Sequence, residues 1–109
     1  MRTLKFIVDG QIIKRDPTCD FSNLVPGTNG YLRAEFSFSP DWDGYTKVAA
    51  FWSATNEELP PRLLKDGRSC AIPPEALAKY GFRISVHGRK QNVNLKTNKV
   101  AIKQNGGAV

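Results

Sequence analysis

From Tyr31 to Ser39 apolar and polar residues alternate: Leu32, Ala34, Phe36 and Phe38 fall on one side, Arg33, Glu35, Ser37 and Ser39 on the other. A period of two is the signature of a β-strand with one packed face and one wet face. Pro40-Asp41-Trp42-Asp43-Gly44 interrupts the run with turn chemistry, since proline fixes φ and glycine admits φ > 0. An apolar-rich extended segment resumes at Lys47 and runs to Trp52. This stretch is therefore expected to form two antiparallel strands joined by a corner that carries a tryptophan, with the rest of the chain built around it.

Turn signals divide the remainder into similar pieces. Thr3–Val8 and Gln11–Arg15 flank Asp9-Gly10, a pair that closes tight hairpins, and Leu4, Phe6 and Val8 share a face. Asp16-Pro17-Thr18 ends that hairpin, because proline cannot donate to a ladder. A short strand is expected over 19–25 and a loop over 26–30, followed after Trp52 by a polar connection to Glu58 and an extended Leu59-Pro60-Pro61. Arg62-Leu63-Leu64 and Ser69-Cys70-Ala71-Ile72 flank Lys65-Asp66-Gly67-Arg68, a second hairpin signal. Pro73 to Gly81 is the helical candidate, with proline in the first turn, Glu75 near the N-terminus and glycine as C-cap.

Phe82, Ile84 and Val86 then alternate with Arg83, Ser85 and His87, and Gly88-Arg89-Lys90-Gln91 reads as a turn. Val93 with Leu95, and Val100 with Ile102, give two weaker strands around Thr97-Asn98. Residues 104–109 read as a frayed tail. The chain of 109 residues is thus expected to be one all-β domain. An antiparallel β-sandwich of about seven or eight short strands, with one short helix near 74–80, is the expected architecture, and a small barrel the alternative.

Charge changes the picture. The net charge is +6, yet residues 1–75 carry nine Lys/Arg against ten Asp/Glu. Residues 76–109 carry seven basic residues and no acid. A surface of one sign favours a polyanion or an acidic protein partner, or else keeps a sheet edge soluble. No apolar run approaches the ~20 residues that span a bilayer, and the N-terminus lacks a cleavage-site pattern, so neither a membrane segment nor a secretory signal is expected. Cys19 and Cys70 fit no metal or redox spacing, and free thiols are expected.

The chemistry on offer is thin. His87 is the one histidine and reads as a solvated strand-end residue. Asp41 and Asp43 supply too few oxygens for calcium, and one histidine with two scattered cysteines is short of a zinc set. No nucleophile elbow or phosphate-binding glycine loop occurs, so no enzyme, metal or cofactor is expected. Trp42 in the corner reads first as a plug at the end of the sandwich; Trp42 and Tyr45 are alternatively candidates for stacking on a sugar, and the basic third for nucleic acid. Phe51 and Trp52 point to opposite faces of one strand, so one of them is a candidate partner contact.

Two stretches resemble a module of structural proteins from tailed bacteriophages and prophages, chiefly of Gram-positive hosts. The first is the run from Ala34 to Phe51, in which Phe36, Phe38-Ser39, Trp42-Asp43-Gly44, Lys47, Ala49 and Phe51 match the pattern. The second comprises Cys70 to Leu77, Phe82 to Gly88, and Thr97-Asn98-Lys99-Val100, in the same order as in the family. The resemblance implies an Ig-like β-sandwich and a virion part: a head-fibre or decoration protein, or a tail or baseplate component. Many relatives continue into a fibre-like region. This chain stops soon after its last strand, which suits a decorating or connector subunit made in the host cytoplasm and carried in the virion.

Function would then be docking onto other virion proteins or further copies of the chain. Tyr45, with Phe51 or Trp52, supplies the candidate apolar contacts. Arg89, Lys90, Lys96, Lys99 and Lys103 supply the basic ones. The rival expectations are a small phage-encoded inhibitor that contacts a host nucleoprotein or nucleic acid, and a carbohydrate-binding module.

Overall fold

A computed structural model of the chain describes residues 1–104. Among the described residues nine strands form. They are β1 (Arg2–Asp9), β2 (Ile12–Arg15), β3 (Leu32–Phe38), β4 (Thr46–Trp52), β5 (Arg62–Leu63), β6 (Ser69–Ala71), β7 (Gly81–Lys90), β8 (Val93–Lys96) and β9 (Val100–Lys103). One sheet has the order β2-β1-β3-β6. The other has the order β5-β4-β7-β8, with β9 also paired to β7. The inward residues of the two sheets form one core, which includes Leu4, Phe6, Ala34 and Phe36 from the first and Phe51, Phe82, Ile84 and Ile102 from the second. The fold is an all-β sandwich.

The alternation of β3 predicts its packing well: Leu32, Ala34 and Phe36 are buried. Its partners are another matter. β3 lies beside β1 in parallel register, with Leu4 opposite Ala34 and Phe6 opposite Phe36, so the sandwich is mixed and not purely antiparallel. Nor do β3 and β4 pair with each other; the corner between them carries the chain from one sheet to the other. A short 3-10 turn at Pro40–Trp42 and a left-handed Gly44 (φ 80°) make that change of layer.

Other expectations also need correction. The first hairpin turns at Gly10-Gln11, one residue later than expected, because Asp9 pairs with Ile12. Residues 19–25 form no strand. Asp16 and Asp20 cap local turns, Asn23 takes positive φ (58°), and Arg2 gathers the carbonyls of Asp20, Ser22 and Asn23 with its guanidinium. Lys65–Arg68 does not close a hairpin, since β5 adds to β4 while β6 adds to β3.

The segment near 74–80 is not helical. Ala76 and Leu77 donate to the carbonyls of Pro73 and Pro74, giving two overlapping turns whose apolar side chains enter the core. At about two turns the segment is too short to hold a helix, and core packing of Ala76 and Leu77 decides its shape. β7 runs through Gly88 to Lys90, so the next turn falls at Gln91-Asn92, with Gln91 at φ 53°. Gln104, expected in a frayed tail, is buried and bonded to the carbonyls of Leu77 and Lys79. Residues 105–109 of that tail lie outside the described residues.

Candidate functional site

Two features of the second sheet set the geometry of its surface. The first is at the corner. Trp42 is fully buried and its Nε1 donates to the Gly10 carbonyl at 2.8 Å, tying the corner to the first hairpin turn. Its ring lies on Gly88: a Cβ at that position would stand 2.7 Å from the indole Cζ3. Tyr45 is half-buried beside it, with Lys90 Nζ 5.8 Å from the Tyr45 ring centroid. Trp42 is therefore the plug at the end of the sandwich and is not open for stacking on a sugar.

The second feature is the outward face. Phe51–Ile84 and Ala49–Val86 are the inward pairs across β4 and β7. Alternation then turns the pairs Thr46–Arg89, Val48–His87, Ala50–Ser85 and Trp52–Arg83 away from the first sheet. Lys96 and Asn94 of β8 lie beside His87 and Arg89 on the same side. Lys103 of β9 lies opposite Gly81, and Ala101 opposite Arg83. Lys99 reaches the same face, with its Nζ 4.1 Å from the Trp52 ring centroid. Five of the seven basic residues in the last third, Arg83, Arg89, Lys96, Lys99 and Lys103, thus share one face of the fold, because β8 and β9 both pair with β7.

The candidate contacts separate accordingly. Phe51 is 0% exposed within the core, so it is not partner-facing; strand alternation assigns that side to Trp52. Trp52 faces outward but is only 8% exposed, held under Lys99 and beside His87. Asn56 accepts from both Lys99 and Arg83 and fixes that cover. Arg89, Lys96, Lys99 and Lys103 are exposed on the face, whereas Tyr45 and Lys90 belong to the corner.

His87 is half-buried within β7, not a solvated strand end. Desolvation, and then the nearby Lys96, lower its pKa from the ordinary histidine value, with Glu58 acting in the opposite direction. Its Nε2 lies 3.2 Å from Ser85 Oγ. Ser85 is 1% exposed, so that hydroxyl is sealed from any substrate and serves to orient the ring. Around His87 the face dips into a depression of about 450 Å³, lined also by Thr46, Val48, Arg89, Asn94 and Lys96.

Among the described residues no cluster of three or more His, Cys, Asp or Glu is arranged to hold a metal. Asp41 lies near Ser39 Oγ at the corner, and both cysteines are free thiols. Burial pushes the Cys70 thiol up to about 11. Among the described residues no helix is long and apolar enough to cross a membrane.

Comparison with known protein families, curated proteins and solved structures returns no match. The face is thus read from its own residues. Sequence reasoning missed Arg83, Thr46, Val48 and Asn94 as members of it. Alternation within β7 signalled Arg83 and His87 on one side, but the pairing of β7 with both β4 and β8 has no local signature.

Proposed function

We propose that this chain is a non-enzymatic β-sandwich subunit of a tailed-bacteriophage particle, a decoration or head-fibre protein or a tail or baseplate part. It works by docking the outward face of its second sheet onto a neighbouring subunit. The observation that carries this reading is the gathering of Arg83, Arg89, Lys96, Lys99 and Lys103 on one side of β7–β9 around a covered tryptophan. The resemblance supports the setting, since its positions are those on which the fold depends: Phe36 in the core, Trp42 as plug, Gly88 beneath it, and Asn98 at the sheet edge. Mass spectrometry of purified particles is the test. The chain is expected there in stoichiometric, multi-copy amount, and its absence from assembled particles would refute the virion setting.

The same charge favours one second reading, a small phage-encoded inhibitor that contacts nucleic acid. Oligonucleotide binding that weakens steeply with added salt would select it. Self-association through further copies is checked by size-exclusion chromatography with light scattering.

A further inference from the structure

The depression around His87 concentrates positive charge on a partly apolar floor. Val48 is half-buried at its base, and Thr46 and Asn94 add a hydroxyl and an amide. Arg89 and Lys96 stand beside the imidazole, one on its own strand and one across the ladder to β8. The acid bearing on His87 is Glu58, at the bridge to Trp52. Leu63, paired with Val48 from β5 and 52% exposed, offers an apolar contact next to the depression.

We propose that this depression is an anion-recognition site that receives a carboxylate from an acidic peptide segment of the docking partner. The inference rests on the docking reading above and names its chemistry. Arginine suits a carboxylate because its planar fork donates two parallel bonds. A peptide segment also brings side chains that can cover the exposed Leu63. Single-stranded nucleic acid relies on open aromatic faces; here Lys99 covers Trp52, and the exposed Tyr80 lies beside Arg83 and Lys103, outside the lining of the depression. A carboxylate seated beside His87 stabilises the imidazolium, so binding raises the His87 pKa and tightens as pH falls through that titration.

The test is an amide NMR titration of the whole chain with hexaglutamate, and in parallel with oligothymidylate. Hexaglutamate is expected to shift the amides of Thr46, Val48, His87, Arg89, Asn94 and Lys96 and to move the His87 titration upward. Arg89 and Lys96 are exposed, so R89Q and K96Q keep the fold, which their dispersed spectra report. Each is expected to weaken hexaglutamate binding about tenfold. K5Q and K14Q, on the opposite sheet, leave it unchanged.

Shifts spread over the lysines of both sheets, or an unmoved His87 titration, would overturn the site. Tighter oligothymidylate binding that moves the Trp52 indole signal would overturn it in favour of nucleic acid. Failure of the virion reading shows separately, as absence of the chain from particles, and leaves the hexaglutamate result standing.

Discussion

Gly88 sets how closely the corner can sit against β7. An added Cβ meets Cζ3 of Trp42 at 2.7 Å and Cδ2 of Tyr45 at 3.2 Å, and the buried indole has nowhere to retreat. Gly88→Ala is therefore expected to cost about 1–3 kcal/mol, the usual range for overpacking. Urea denaturation checks this, and unchanged stability would contradict the contact. Trp42→Phe keeps an aromatic plug but strands the Gly10 carbonyl, at a cost of about 1–3 kcal/mol. Asp66 works through its own loop, accepting from the Arg68 and Ser69 amides and the Ser69 hydroxyl, which lowers its pKa from 3.8 to about 2. A carboxyl depressed in the folded state contributes stability above its ordinary pKa and loses it as pH falls toward the folded value. Melting temperatures of wild type and Asp66→Asn are thus expected to differ at neutral pH and converge in acid. The plug role of Trp42 was legible from turn chemistry around an aromatic residue. The role of Gly88 was not, because its reason lies in a side chain 46 positions away in sequence.

At the scale of elements, the break between β8 and β9 does more than interrupt a strand. Residues 97–99 stand opposite residues 85–86, an extra residue on that strand that makes a bulge. Thr97 keeps the ladder closed there, exchanging bonds with both the carbonyl and the amide of Val86. Asn98 then crosses to the other sheet. Its Oδ1 accepts from the Ile13 amide at 2.8 Å, and its Nδ2 donates to the Ile13 carbonyl at 3.4 Å. Ile13 occupies a non-hydrogen-bonded pair with Val8, so its backbone groups point off the edge of β2 and would otherwise be open to another strand. Asn98→Ala is expected to lower stability by about 1–3 kcal/mol and to promote self-association through β2. Denaturation and light scattering measure the two effects; a stable monomeric variant would contradict this assignment. Strand existence was legible from alternation in β1, β3 and β7. Strand partnership was not, since period two fits parallel and antiparallel neighbours equally and says nothing about which layer a strand joins. The Pro40–Gly44 corner shows this most plainly: it reads as a hairpin turn and acts as a change of sheet.

For the molecule as a whole, a charge imbalance along the sequence becomes an imbalance between faces. The first sheet mixes signs outward, with Lys5 opposite Glu35, while the second carries its arginines and lysines together. The imbalance itself was visible in the sequence. Its concentration around His87 required knowing that β8 pairs with residues 87–90 of β7 and β4 with residues 83–89. That face is the proposed docking surface, and cross-linking mass spectrometry of purified particles tests it most directly. Lys96, Lys99 and Lys103 are expected to link to a neighbouring virion protein near acidic residues, while Lys5 and Lys14 do not. Links confined to Lys5 and Lys14, or particles without the chain, would contradict it.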